Sequence, residues 1–246
     1  MGLWDKQVAY GQAKGDQAAF GYIQGHFTDI TLTRRFMMLD QTTPYIHGDV
    51  LEWGCHAGVD SCILRMRFGD SINLAGCDVI DGTPFQPMYA FSHLAYTRLE
   101  HPYKLPYDSA AFDVVVGEGV LEHVEDDLNS VREVHRVLKP GGTFGITCLP
   151  NQWSYTEAVQ RWRRAGNHER LYTMGAATRL LEENGFKVIK TRYCLMAPTM
   201  LNGFPTALQQ GYQRFARGVW AANAVLEQIP LVNRLASNLT LIATKR

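Results

Sequence analysis

From about residue 49 onward, hydrophobic residues gather into short apolar runs, separated by stretches in which they recur every three or four positions. Short runs bounded by turns predict strands buried on both faces, and the three-to-four spacing predicts helices with one apolar side. On this basis residues 49–53 form a strand and 59–68 a helix stopped by Gly69. A strand at 72–78, a helix at 84–96 and a short strand at 97–100 follow. The almost wholly apolar stretch 112–116 predicts a central strand. Beyond it, Leu128, Val131, Val134 and Leu138 mark one face of a helix that halts at Pro140-Gly141-Gly142. A strand at 143–149, a helix at 175–184 ending at Gly185, and strands at 186–192 and 238–244 complete the pattern. Strands alternating with helices at this spacing predict an α/β fold with a parallel, doubly wound sheet.

Two stretches stand outside that alternation. Residues 1–48, with Trp4, Tyr10, Phe20, Tyr22 and Phe27, read as helical pieces ahead of the core, and 197–233 as an inserted amphipathic cap. The expected organisation over 1–246 is therefore one domain: an N-terminal helical cap (1–48), a core (49–196 and 234–246) and the inserted helical cap (197–233). A length of 246 residues has no room for two full-sized domains.

Composition narrows the classes of partner. Lys plus Arg and Asp plus Glu balance at 24 each, which argues against a nucleic-acid substrate, since phosphate backbones select a basic excess. The five cysteines (Cys55, Cys62, Cys77, Cys148, Cys194) are scattered, without a Cys-x-x-Cys pair, and predict neither a disulfide framework nor a zinc site. No apolar run approaches the ~20 residues of a membrane helix. The start lacks an apolar signal core and carries Lys6 where a myristoylation signal wants Ser or Thr. These features predict a cytoplasmic protein without integral membrane contact, and they are compatible with a homodimer.

The segment Glu52-Trp53-Gly54-Cys55-His56-Ala57-Gly58 follows a strand and opens a helix, the setting in which a glycine turn lets a ligand approach the backbone. A dinucleotide fingerprint wants glycine at the first, third and sixth positions, here Gly54, His56 and Val59; one of the three fits. A loop for S-adenosyl-L-methionine (SAM) uses the first, third and fifth, here Gly54, His56 and Gly58; two fit, with the acid Glu52 two places ahead. Asp78, 20 positions after Gly58, closes the second strand where a carboxylate can accept both ribose hydroxyls, and Asp81 is its rival. Either feature alone also fits a plain turn or cap.

The order Leu105-Pro106-Tyr107-Asp108, Phe112-Asp113-Val114-Val115-Val116, Leu121-Glu122-His123-Val124 and Arg136-Val137-Leu138-Lys139-Pro140-Gly141-Gly142 resembles the class I SAM-dependent methyltransferases. It is most similar to their small-molecule branch, which includes ubiquinone- and menaquinone-pathway enzymes. The resemblance implies a Rossmann-like, mostly parallel seven-stranded sheet with its last strand antiparallel, SAM as cofactor, and transfer of methyl to an O, N or C atom of a small-molecule acceptor. It places Glu52, Gly54, Cys55 and Gly58 at the methionine moiety, Asp78 at the ribose, Val79 on the adenine, and Glu118 and Gly119 near the sulfonium. Two positions depart from the pattern: His56 replaces the middle glycine, and His101, beside Glu100, stands where an adenine-binding Asp is usual. These departures keep a second reading open, a scaffold or sensor of the same fold that binds SAM or S-adenosylhomocysteine (SAH) without transferring methyl. A nicotinamide oxidoreductase is disfavoured by the glycine spacing.

Three residues are candidates for acid–base work on the acceptor. His123 follows the fourth strand at the carboxyl edge of the sheet, where open α/β sheets bind ligands, and imidazole titrates near neutrality. His168 and Tyr172 belong to Asn167-His168-Glu169-Arg170-Leu171-Tyr172-Thr173, which resembles a His-x-Arg-x-Tyr/Phe-Thr element of the family, with Arg170 available to orient an anionic group. Each has a structural alternative, Glu122-His123 as a turn and Thr173 as the cap of the next helix. Arg161-Trp162-Arg163-Arg164 suits either an anion grip or, more often, a solvated face. The acidic run Glu122, Glu125, Asp126 and Asp127 fits a helix dipole better than a metal, so no metal is expected. Aromatic residues of the caps (Tyr10, Phe20, Tyr22, Phe204, Tyr212, Phe215, Trp220) suggest a partly apolar acceptor.

Overall fold

The computed structural model describes residues 29–162, 168, 170–198 and 205–246. Its first half runs α1 (Asp29–Thr42), β1 (Gly48–Trp53), α2 (Val59–Phe68), β2 (Ile72–Asp78), α3 (Gln86–Ser92), β3 (Ala95–Arg98) and β4 (Phe112–Glu118). The second half comprises α4 (Asp127–Val137), β5 (Leu138–Pro150), α5 (Tyr155–Trp162), α6 (Met174–Glu182), β6 (Phe186–Cys194), α7 (Thr206–Arg214), α8 (Ala216–Leu226) and β7 (Asn238–Lys245). The seven strands form one sheet in the order β3-β2-β1-β4-β5-β7-β6. Strands β1 to β5 pair in parallel, and β7 runs antiparallel to both β5 and β6. This is the Rossmann-like sheet with its last strand antiparallel that the sequence led us to expect.

The apolar runs build this sheet because alternate side chains serve opposite faces. Val50, Val114 and Val116 pack with Val59, Ile63, Leu64 and Tyr89 on one side. Leu51, Trp53 and Val115 pack with Val131, Val134, Val137 and Leu181 on the other. Both faces are therefore covered, and β1 and β4 lie at the centre. Strand order reverses between these two, so their carboxyl ends border a crevice, the place where open α/β sheets take ligands.

Several boundaries differ from the periodic pattern. The helix expected over 84–96 is shorter: His93 adopts a left-handed conformation (φ 52°), and Ala95–Arg98 pairs with Ala75–Asp78 as an edge strand. Cross-strand hydrogen bonds outweigh the local helical spacing there. Leu138 belongs to β5 rather than to the preceding helix. It pairs with Phe112 across a register shift that absorbs Pro140-Gly141-Gly142, and Leu128 is 37% exposed, so the buried stripe of α4 is Val131, Val134 and Val137. Asp126 caps this helix by accepting from the Asn129 amide at 2.9 Å, a concrete role for one acid of the run.

Within 197–233, α8 is tied to the end of β6 by buried polar groups. Asn223 Oδ1 accepts from the amides of Met196 (2.8 Å) and Ala197 (3.0 Å), while Glu227 accepts from the Leu195 amide and from Arg192, both at 2.7 Å. Asn223→Ala strands these amides, and unfolding in urea is expected to show a loss of ~2–4 kcal/mol. A loss under about 0.5 kcal/mol would mean that water replaces the side chain. Phe215 is 71% exposed and does not line an enclosed cavity, contrary to the suggestion from composition. Trp220 packs against the cluster of Met38, Cys148, Cys194 and Leu195, and the Tyr212 hydroxyl donates to the Pro198 carbonyl. Tyr10, Phe20, Tyr22 and Phe204 lie outside the described residues, as do Arg163 and Arg164; Arg161 and Trp162 are exposed. Among the described residues no helix is long and apolar enough to cross a membrane.

Candidate active site

The turn after β1 is made by left-handed residues: Gly54 (φ 76°), His56 (φ 42°) and Gly58 (φ 72°). A Cβ on Gly54 would lie 2.4 Å from Val120 Cγ2, and one on Gly58 2.9 Å from Tyr89 Cδ1, so both positions require glycine for space as well as for conformation. The loop is fastened to the end of β2. The amides of Gly54 and Cys55 donate to the Cys77 carbonyl (2.8 and 3.2 Å), and the His56 amide donates to Asp78 Oδ2 at 2.8 Å. Asp78 Oδ1 accepts from the Val79 amide at 2.7 Å. Burial raises the Asp78 pKa, and these amide hydrogen bonds oppose the shift.

His56 fits the loop without glycine. Its ring lies against Phe85 (centroids 5.3 Å apart), and its carbonyl accepts from the Tyr89 hydroxyl. Asp81 is exposed and engaged by the amide and hydroxyl of Thr83 (3.0 and 2.8 Å), which separates it from Asp78. His101 closes a turn, its Nδ1 accepting from the amides of Tyr103 (3.3 Å) and Lys104 (3.1 Å); Glu100 is exposed beside it.

Beneath the crevice sits a buried charged group that spacing alone does not reveal. Glu52, 5% exposed, accepts from Ser61 Oγ. Arg35 pairs with Asp60 at 2.8 Å, and Arg34 reaches from α1 to Glu118 (3.2 Å) and to Cys148 Sγ (3.2 Å). Burial, and then the neighbouring Asp60 carboxylate, push Glu52 well above the usual carboxylate range and Glu118 up to about 7. Gly119 turns the chain away just after Glu118, with φ 64°.

The candidates on the acceptor side fall into two groups. Glu122, His123 and His168 come together, with ligand-type atoms within 4.8 Å of one another. His123 Nε2 lies 3.8 Å from Glu122 Oε1, and His168 Nδ1 is 2.8 Å from Glu157 Oε1. That hydrogen bond raises the His168 pKa, while burial pushes Glu122 up to about 7. Tyr172 and Arg170 point elsewhere. The Tyr172 hydroxyl, in a side chain 5% exposed, donates to Asp127 Oδ2 (2.8 Å) and to the Leu121 carbonyl (3.3 Å). The Arg170 guanidinium donates to the carbonyls of Leu121, Val124 and Glu125. Both brace the loop that carries Glu122 and His123.

Residues 51–146 match the family described as "Methyltransferase domain". A probable S-adenosylmethionine-dependent methyltransferase of Mycolicibacterium smegmatis is 31% identical over 58% of this chain and 53% of its own length. The ubiquinone biosynthesis O-methyltransferase of Ruegeria pomeroyi is 32% identical over 51% of this chain and 54% of its own. The chain thus spans about half the length of the curated relatives it matches. A solved Thermotoga maritima structure, described as a SAM-dependent methyltransferase and possible histamine N-methyltransferase, superposes with a TM-score of 0.63. It is 13% identical and covers 94% of this chain and 97% of that one. Residues 51–146 are thus similar to the domains of SAM-dependent methyltransferases.

Two charged partners within this site were missed by sequence reasoning: Arg34, on the α1 helix, and Glu157, on α5. Each meets its partner through the fold, and neither sits in a motif. Glu118 gives a testable pH signature. Because its folded pKa is raised, its contribution to stability is complete below about pH 4.5 and is lost as pH rises through about 7. Wild-type protein should therefore lose stability between pH 5 and 8 to a degree that Glu118→Gln reduces, read by urea unfolding at both pH values. Equal pH slopes in the two proteins would exclude this assignment.

Proposed function

We propose that the chain binds SAM across the carboxyl edge of β1, β2 and β4 and transfers its methyl group to a small-molecule acceptor. The observation that carries this reading is the direct attachment of the glycine turn to Asp78, which joins the two halves of a nucleoside-amino-acid crevice into one unit. The residues fit such a group. The Gly54 and Gly58 turn leaves backbone bare where a Cβ would collide, and Glu118 Oε2 is buried with no hydrogen-bond partner among the described residues. Glu52, Gly54, Cys55 and Gly58 would surround the methionine moiety, with Arg34 close by. Asp78 would hold the ribose, Val79, Glu100 and His101 would border the adenine, and Glu118 and Gly119 would face the sulfonium. The helical segments 1–48 and 197–233 would cover the site as caps on one core.

When bound, SAM supplies a methyl on a positively charged sulfur, the electrophile of an in-line displacement. The protein's task is to hold the acceptor at about 3–3.5 Å and to exclude water. His123 and His168 would act where a hydroxyl acceptor must lose its proton, with Glu157 fixing the orientation of the His168 ring. Tyr172 and Arg170 would position these groups by bracing their loop. The imidazole pair favours an oxygen acceptor over an amine, because a neutral amine can attack before it loses its proton while a hydroxyl needs a base. Calorimetry with SAH tests binding, and a labelled-methyl screen over hydroxyl, amine and carbon acceptors tests transfer. SAH binding with no transfer to any class would support the scaffold reading; absence of binding would remove both.

A further inference from the structure

The loop after β4 and the segment before α6 bring two imidazoles and one carboxylate to a single point, although about 45 residues separate them. Their ligand-type atoms all lie within 4.8 Å of one another. Glu122 is 2% exposed, and its Oε2 is buried with no hydrogen-bond partner among the described residues. A buried carboxylate oxygen left without a donor is costly unless something positive comes to it. His168 is already oriented: Nδ1 is held by Glu157 at 2.8 Å, which leaves Nε2 as the free coordinating nitrogen. A histidine whose second nitrogen is fixed by a carboxylate is the usual arrangement around a metal. His123 is 37% exposed at its side chain, and its Nε2 lies 3.8 Å from Glu122 Oε1.

We propose that Glu122, His123 and His168 form a divalent transition-metal site of the two-histidine, one-carboxylate type. Bond lengths of ~2.0–2.2 Å set tetrahedral ligand separations of about 3.3 Å, a contraction that rotation of the half-exposed His123 ring would supply while His168 keeps its Glu157 partner. Two imidazole nitrogens select Zn²⁺, Co²⁺ or Fe²⁺ over Mg²⁺ or Ca²⁺. Three protein ligands leave at least one open position. Resting on the reading of the neighbouring crevice as the methyl-donor site, that position takes a hydroxyl oxygen of the acceptor. The O–H bond breaks with release of the proton to solvent, the oxygen forms the new C–O bond, and the C–S bond breaks with its electron pair passing to sulfur. With a metal bound the imidazoles are its ligands, and their role as bases belongs to the metal-free protein; the sequence alone led us to expect no metal. Of the acidic run, Glu122 belongs to this site, whereas Asp126 caps α4 and Asp127 receives the Tyr172 hydroxyl.

The test uses the full chain, stripped with EDTA, titrated with Co²⁺ and read by ligand-field absorption, with SAH calorimetry on the same sample. One equivalent of Co²⁺ displaced by Zn²⁺ is expected. Glu122→Gln, His123→Ala and His168→Ala should each weaken uptake at least about tenfold, and Glu157→Gln, which alters the partner of His168 Nδ1, by roughly 10–100-fold. Because His123 is half-exposed, its alanine variant reports on the site even if the buried substitutions fail to fold. Absence of Co²⁺ uptake by wild-type protein, or wild-type affinity in His123→Ala, overturns the proposal. SAH binding without cobalt uptake removes the metal site alone, and cobalt uptake without SAH binding supports the metal site while removing the cofactor reading.

Discussion

Gly58→Arg is expected to abolish SAH binding in calorimetry, with affinity falling by at least about 100-fold, or ~2.7 kcal/mol. The sequence suggested that the new side chain would fill the methionine pocket. The structure gives a different route to the same result. Gly58 sits at φ 72°, where an L residue is strained by ~1–2 kcal/mol. Its Cβ would point at Tyr89 Cδ1, 2.9 Å away. Tyr89 cannot yield freely: its ring stacks on Tyr96 with centroids 4.8 Å apart, and its hydroxyl holds the His56 carbonyl. Displacing it moves the middle of the glycine turn. Far-UV circular dichroism on the variant separates this local effect from unfolding. A folded Gly58→Arg protein with unchanged SAH affinity would remove the turn from the binding site.

Asp78→Ala is expected to have the next largest effect, weakening SAH binding by ~2–4 kcal/mol, about 30- to 1000-fold. Two losses combine. The ribose hydroxyls would lose a charged acceptor, and the His56 and Val79 amides would lose the oxygens that place the loop. Asp78→Asn keeps the shape and removes the charge, so its affinity should fall between wild type and alanine. Asp81→Ala, at a residue exposed and engaged by Thr83, should bind SAH within about twofold of wild type, well under 1 kcal/mol. Wild-type affinity in Asp78→Ala, together with a loss in Asp81→Ala, would transfer the ribose contact to Asp81.

Much of the sheet was legible because its central strands are buried on both faces and must be apolar throughout. Val114-Val115-Val116 has no other economical reading, and the glycines after 50–53 and after 59–68 mark where each element stops. Boundaries were less legible where long-range pairing competes with local spacing. Leu138 continues the helical period of Val131 and Val134 yet pairs with Phe112, because the parallel ladder supplies hydrogen bonds that periodicity does not register. The same limit applies to the site. The glycine turn and Asp78 could be read because a βαβ unit fixes their separation. The pairs Arg34–Glu118 and His168–Glu157 depend on packing of distant elements, and no spacing rule connects them. Tyr172 adds a contact of the same kind: its hydroxyl bonds Asp127 and the Leu121 carbonyl, partners 45 and 51 residues away that its local motif does not indicate.

A crystal structure of the full chain grown with SAH tests the account most directly. It should show the amino-acid end of the ligand on the turn between Gly54 and Gly58, and its sugar hydroxyls on Asp78. A crevice closed by side chains, or a ligand whose sugar bonds elsewhere while Asp78 keeps only its backbone partners, would contradict it.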